Sequence, residues 1–150
     1  MTRLDEVSIF DGKLTFLIPH DWVEGEEDDD KDTYLYRLPN TDSGWFRVSL
    51  ITTSAKDPLL KLQEIFKDAP LISRNLSTGS LIEANQKFSV DQATGSRLQI
   101  YFWRVGNIVR PDLVREAVFS YTILRDRTQE PHVQDTVRLL EQLVSQAKFS

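Results

Sequence analysis

The chain has 150 residues, a formal net charge of −5 at pH 7 and no cysteine, with 40% hydrophobic and 27% charged residues. These values are typical of one soluble globular domain, here residues 1–150. The missing cysteines exclude disulfides, thiolate metal sites, iron–sulfur clusters and cysteine nucleophiles.

The start of the chain and its hydropathy bear on location. The first residues, MTRLDEVSIF, include two acids and no apolar core of a signal peptide, so we expect no signal peptide and a cytoplasmic protein. No apolar run approaches the ~20 residues that span a bilayer. The negative net charge argues against nucleic acid, whose phosphates require concentrated Lys and Arg. We therefore expect neither a membrane span nor a nucleic-acid partner.

The first third of the chain is predicted to be strand. Two alternating apolar runs flank Asp11 and Gly12, which is typical of a two-residue hairpin turn. Pro19 ends the second run because it has no N–H to donate to a neighbouring strand. The apolar positions of the two runs are Val7, Ile9, Phe10, Leu14, Phe16 and Ile18.

An acidic segment, residues 24–32, follows. Its like charges repel one another, which predicts an exposed loop. The runs TYLYRL at 33–38 and WFRVSLITT at 45–53 are predicted strands, separated by a turn at 39–44. The carboxylates of the acidic segment are Glu24, Glu26, Glu27, Asp28, Asp29, Asp30 and Asp32.

Two helices and three long strands are predicted in the remainder. Asp57 and Pro58 are a helix start, and Leu59, Leu62 and Phe66 recur at helical spacing, which predicts a helix over 58–68. Strands are predicted at 81–90, 97–105 and 113–124. Pro131 opens a second helix over 131–147, whose apolar stripe is Val133, Val137, Leu140, Val144 and Ala147.

This order of elements predicts an α+β fold. We expect a single antiparallel sheet of about six to seven strands, with a short middle helix and a long C-terminal helix packed on it. The long strands are apolar on both faces, so we expect both faces to be partly covered. No alternation of strand and helix is present, which excludes a Rossmann or flavodoxin-like fold.

Two short motifs stand within this order of elements. One is a strand exit of the form P-x-x-W, with Pro19, His20, Asp21 and Trp22, and the other is the aromatic run YFWR at 101–104. With them the chain resembles the Mog/PsbP-like superfamily, including its DcrB-related bacterial domains, over most of its length. The resemblance implies an adaptor or assembly domain and not an enzyme. Secretion is among the pathways that it suggests. It transfers no residue of known functional role.

His20 and Asp21 raise the question of catalysis, because a catalytic His is usually oriented by a carboxylate. Neighbouring residues that leave a strand point in different directions, however, and no G-x-S-x-G motif is present. We therefore expect Trp22 to close the core while His20 and Asp21 form a turn, and we assign no catalytic residue. His132, in the first turn of the last helix, is expected at the surface.

The acidic segment also raises the question of a metal. Asp28, Asp30 and Asp32 have the spacing of the first EF-hand ligands, but Thr33 and Pro39 stand where that loop needs Gly and a bidentate Glu. A solvated loop and a docking surface for a basic partner both remain open. We expect no metal site and no cofactor.

Aromatic residues complete the list of candidates, since they serve cores and interfaces equally well. We expect a non-catalytic protein-binding domain with a protein partner. Its association into a homodimer is a further hypothesis. The alternative is a small-molecule-binding domain or an unrecognised hydrolase with a cleft near His20. The candidate partner-binding residues are Trp22, Asp28, Asp29, Asp30, Trp45, Tyr101 and Trp103, and Arg104 beside them is expected at a sheet surface.

Overall fold

The structure is a computed structural model that describes residues 3–25, 33–37, 44–67, 74–75 and 80–150. Its helices are α1 (Pro58–Phe66) and α2 (Pro131–Val144), with a 3-10 turn at Arg125–Arg127. Its strands are β1 (Leu4–Ile9), β2 (Leu14–Pro19), β3 (Val23–Glu24), β4 (Thr33–Arg37), β5 (Trp45–Ser54), β6 (Arg74–Asn75), β7 (Leu81–Val90), β8 (Arg97–Arg110), β9 (Leu113–Leu124) and β10 (Lys148–Phe149).

The strands form two antiparallel sheets, so the predicted single sheet is wrong. A small sheet has the order β1-β2-β10, and a large sheet has the order β3-β4-β5-β9-β8-β7-β6. The alternation of apolar residues in β2 buries Leu14, Phe16 and Ile18. A period of two predicts which side chains are buried, but not whether a strand continues a sheet or covers its face.

The C-terminal helix also differs from the prediction. Helix α2 ends at Val144, three residues earlier than predicted, and the chain then returns to the small sheet as β10. Helix α2 contacts β2 of the small sheet and β8 of the large sheet, so it does not lie on one sheet alone. Its buried residues are Val133, Leu140, Leu143 and Val144.

The main core lies between the small sheet, α2 and one face of the large sheet, which we call the inner face. Aromatic rings fill its centre: Phe16 and Phe119 have centroids 5.5 Å apart, and Phe46 stacks on Phe119 at 5.8 Å. The inner face is formed by alternate residues of the central strands, among them Val48, Trp103, Val105, Ala117 and Tyr121.

Helix α1 covers one end of the opposite, outer face of the large sheet. Asp57 accepts a hydrogen bond from the Leu60 N–H at 3.1 Å, and Pro58 occupies the first turn, as the sequence predicts. Leu62 and Phe66 are buried against Val114 in a second, smaller cluster. Leu59, predicted to share their stripe, is exposed. Among the described residues, no helix is both long enough and apolar enough to cross a membrane.

Candidate functional site

The predicted partner-binding residues occupy different places in the structure. Trp22, Tyr101 and Trp103 are buried in the main core, whereas Trp45 keeps 36% of its surface exposed. Residues 28–30, with the three candidate aspartates, lie outside the described residues. Partner binding by these residues stays a prediction, and Trp45 is the aromatic candidate that a partner can reach without opening the core.

The P-x-x-W strand exit closes the core, as expected. The Trp22 N–H donates to the Pro19 carbonyl at 3.1 Å, and the His20 N–H donates to the Arg3 carbonyl at 2.8 Å. This turn directs the Trp22 ring onto Phe46 and Tyr121, with centroids 6.0 Å away in each case. Trp22 therefore packs as a core residue.

His20 pairs with Asp5 of β1 and not with its neighbour Asp21. Its Nδ1 lies 2.8 Å from Asp5 Oδ2, and both side chains are about half exposed. His132 is exposed in the first turn of α2, with Nε2 3.3 Å from Glu130 Oε2. The described residues bring no three His, Asp or Glu side chains together as a metal site would require.

The outer face of the large sheet is the candidate site, because it combines concave surface, apolar side chains and charge. Strand pairing sets Phe102 beside Ser120 and Arg104 beside Val118 on this face, and Asn85 beside Phe102 on the next strand. Helix α1 bounds the face at one end. The turn between β7 and β8, together with Trp45, bounds it at the other end.

A groove of about 340 Å³ lies at the Trp45 end of this face. Leu98 and Leu124 supply apolar walls, while Arg47 and Asp91 supply charge. This volume falls at the lower end of the range for ligand pockets, roughly 300–1,000 Å³. The groove can therefore accept one large side chain of a partner.

A second, smaller concavity of about 150 Å³ lies at the centre of the outer face, lined by Asn85, Phe102 and Val118 beside a charged cluster. In that cluster the Arg104 guanidinium donates to Glu83 on β7, and its Nη1 lies 3.4 Å from Glu116 Oε1 on β9. Both carboxylates are buried, and the guanidinium lies 5.3 Å from the centroid of the Phe66 ring.

The outer face carries more positive than negative charge. Lys87 lies over the Phe102 ring, with Nζ 5.0 Å from the centroid, so its charge stays on this face. Among the charged side chains that the described strands direct to this face, the cations are Arg37, Arg47, Lys87 and Arg104, and the carboxylates are Glu83 and Glu116. The described strands thus direct more cations than carboxylates to this face, and the excess remains when Asp91 of the groove is counted with the carboxylates.

Sequence reasoning missed the buried carboxylates of this cluster, although a signal for one of them was present. Glu83 and Arg104 are direct partners in the β7–β8 hairpin. Counting outward from the turn around Gly95 pairs them, because cross-strand partners in a hairpin are equidistant from the turn. The position of Glu116 beside Arg104 depends instead on the pairing of β8 with β9. A bulge near Ile108 and Arg110 shifts the register of that pair, so counting along the chain does not predict it.

Comparison with the profiles of known protein families gave no match, and comparison with curated protein sequences gave none. Solved structures do match. A protein from Bacteroides thetaiotaomicron aligns with a TM-score of 0.65 and 15% identity over 100% of this chain, which spans 49% of that protein. LpqN of Mycobacterium tuberculosis aligns with a TM-score of 0.58 and 16% identity, over 99% of this chain and 91% of LpqN.

A cyanobacterial PsbP protein (CyanoP) from Synechocystis also aligns, with 13% identity over 100% of this chain and 94% of that protein, but its TM-score of 0.41 carries no argument. At such identities the likeness concerns the fold alone. The predicted resemblance is therefore supported at the level of an α+β fold, and no family match assigns the chain to the superfamily.

Proposed function

We propose that this chain is a non-catalytic protein-binding domain, of the adaptor or assembly type, that binds its partner on the outer face of the large sheet. The observation that carries the proposal is Trp45. Trp22 and Trp103 are buried, but Trp45 stands 36% exposed at a groove with apolar walls. Residues that dominate binding energy at protein interfaces are enriched in tryptophan, tyrosine and arginine.

The charge of the outer face defines the chemistry of the partner. The excess of cations over carboxylates that the described strands direct to this face would repel a basic segment and attract an acidic one. The partner on this proposal is a polypeptide segment that carries Asp or Glu together with apolar side chains, one of which enters the Trp45 groove. A homodimer through this face is disfavoured because two positive faces would meet. A dimer through another surface stays a prediction.

The superfamily assignment belongs to the same proposal. Element order and the P-x-x-W exit support membership in the Mog/PsbP-like superfamily. The resemblance of this chain to that superfamily is what suggests a role in binding or assembly. LpqN, one of the matching structures, is described as involved in cell envelope biogenesis. The pathway of this chain, the proposed absence of catalysis and its cytoplasmic location stay predictions.

The alternative of a hydrolase or small-molecule site near His20 gains no support from the geometry. His20 lines neither of the two concavities of the outer face. The Asp5–His20 pair is about half exposed, so water screens it and weakens any activation of the imidazole. We therefore propose no catalytic role for this pair.

A selection from a random peptide library displayed on phage tests the proposal. We expect the enriched peptides to combine Asp or Glu with apolar residues. Synthetic copies should protect Trp45 from acrylamide quenching, since the other two tryptophans are buried. Trp45→Ala should weaken their binding about tenfold or more.

Leu4→Ala is the matched control for Trp45→Ala. Leu4 has the same 36% exposure but lies on the small sheet, so its removal should leave peptide affinity unchanged. Arg37→Gln should weaken binding at low salt and less at high salt, because an exposed cation acts through screened attraction. Enrichment of basic peptides, or equal losses for Trp45→Ala and Leu4→Ala, would refute the outer face as the binding surface.

A further inference from the structure

A polar cavity on the other side of the large sheet has no role in the proposed protein binding. Its volume is about 360 Å³, and it lies between β7, β8, the 3-10 turn and the first turn of α2. Its lining includes the side chains of Gln86, Gln99, Tyr101, Arg125 and Gln134. Polar groups that converge in one concavity can fix the orientation of a polar ligand.

The side chains of this cavity are held in place by one another. Gln99, only 4% exposed, donates from Nε2 to Gln86 Oε1 at 2.9 Å. Gln134 donates from its Nε2 to the Thr128 carbonyl. The Arg125 guanidinium lies 4.2 Å from the centroid of the Phe88 ring. These contacts fix the groups before any ligand arrives, which lowers the entropic cost of binding.

The polar atoms of these side chains that the printed contacts do not use include both donors and acceptors. The two amide oxygens of Gln99 and Gln134 can accept, while the amide nitrogen of Gln86 and the guanidinium can donate. Each ligand hydroxyl both donates and accepts, so a polyhydroxylated ring matches this arrangement. Phe88, 63% exposed, offers an apolar surface beside it.

The charge of the cavity points to an anionic ligand. Arg125 is the one charged residue among those that line it. A guanidinium binds a carboxylate through two parallel hydrogen bonds.

We propose that this cavity binds a sugar acid, with the carboxylate on Arg125 and the hydroxyls on Gln86, Gln99 and Gln134. Arg125 also lines a neighbouring cavity of about 610 Å³, together with Ser96, Arg97 and Asp126. A chain of sugar acids would extend from the first cavity into the second. The two sources of this chemistry, a free monosaccharide and an acidic polysaccharide, therefore differ in whether Arg97 takes part.

Binding of three small probes tests the proposal: D-glucuronate, D-glucose without the carboxylate, and acetate without the hydroxyls. Titrations followed by ¹H–¹⁵N NMR report on the side-chain amides of the glutamines directly. We expect glucuronate to shift these signals. Glucose and acetate should each bind at least about tenfold more weakly than glucuronate. Equal binding of all three probes, or no shift with glucuronate, would overturn the proposal.

Arg125→Gln and Arg127→Gln form a matched pair, since both lie in the 3-10 turn and remove one positive charge, but Arg127 lines neither cavity. Only Arg125→Gln should reduce glucuronate affinity to the level of glucose. Equal losses in the two variants would indicate adventitious attraction by charge and refute the site.

A uronic acid trimer separates the two sources. If the natural ligand is a polysaccharide, Arg97→Gln should weaken binding of the trimer and leave binding of glucuronate unchanged. If it is a free monosaccharide, the trimer should bind no more tightly than glucuronate. Trp45→Ala should leave all of these affinities unchanged, so this site and the proposed protein-binding face succeed or fail separately.

Discussion

At the scale of single residues, two tyrosines of the main core are buried. Tyr36 on β4 and Tyr121 on β9 flank Phe46 on the inner face. Burial raises the pKa of each phenol from 10.0 to about 12, and the charge of Glu24 adds to the effect at Tyr36. The neutral phenol is therefore the form that the folded chain favours.

This pKa difference predicts the response to alkali. In the unfolded chain both phenols ionise near pH 10, whereas the folded chain holds their protons up to about pH 12. In that pH range the unfolded chain binds fewer protons than the folded chain. The contribution of the two phenols to the free energy of unfolding is therefore complete below about pH 10 and is lost between about pH 10 and about pH 12. Urea unfolding at about pH 9 and about pH 11 measures this loss.

The double variant Tyr36→Phe with Tyr121→Phe supplies the control. It should lose less stability than the natural chain between the two pH values, because it has no buried phenol to ionise. An equal loss in both proteins would show that other groups, such as the lysines, determine unfolding in alkali.

At the scale of elements, helix α1 lies close to β8 because residue 106 is glycine. A Cβ added to Gly106 would lie 2.7 Å from Phe66 Cε2 and 3.1 Å from Leu62 Cδ1. These are the two buried residues of the helix. The strand therefore leaves space for the helix where the two pack against each other.

Gly106→Ala should accordingly destabilise the protein by about 1–3 kcal/mol, the usual cost of overpacking a core. Adding Phe66→Leu should recover part of this loss, because the smaller side chain vacates the space that the new methyl group needs. Urea unfolding of the two single variants and the double variant gives the interaction energy. Strictly additive losses would contradict competition between the helix and the strand for this space.

The elements that the sequence predicts correctly are those that residues close in the chain decide. Asp11 and Gly12 form the turn of the first hairpin, with φ of 57° and 79°, both in the left-handed region that such a turn requires. Asp57 and Pro58 begin α1 because capping involves only the first turn. Local chemistry therefore predicts where these elements begin and end.

Sheet membership and exposure depend on residues far apart in the chain, and here the sequence was insufficient. β2 pairs with β10, from the other end of the chain, which no alternation in β2 reveals. Trp45 and Trp103 both stand in alternating strands, yet one lines a groove and the other lies in the core. Their difference comes from position within the sheet and not from local pattern.

At the scale of the whole molecule, charge is distributed unevenly. The chain carries −5, the acidic segment holds seven carboxylates, and the described strands direct four cations and two carboxylates to the outer face. The Debye length is about 8 Å at physiological salt, so each region acts mainly on partners already close to it. At low salt the whole field acts, and the net negative charge then opposes an acidic partner.

Replacing Asp28, Asp29 and Asp30 by Asn separates these effects, because it takes the net charge from −5 to −2. We expect the melting temperature to stay unchanged or rise slightly, since repulsion within the acidic segment is relieved. Acidic peptides selected for the outer face should associate faster with this variant at low salt, and the difference should shrink at high salt. Thermal melting and stopped-flow quenching of Trp45 at two ionic strengths measure both.

Two other outcomes would contradict this prediction. Slower association of a basic partner would identify the acidic segment as a docking surface. A large fall in melting temperature would mean that its carboxylates are engaged in the fold, for example around a cation.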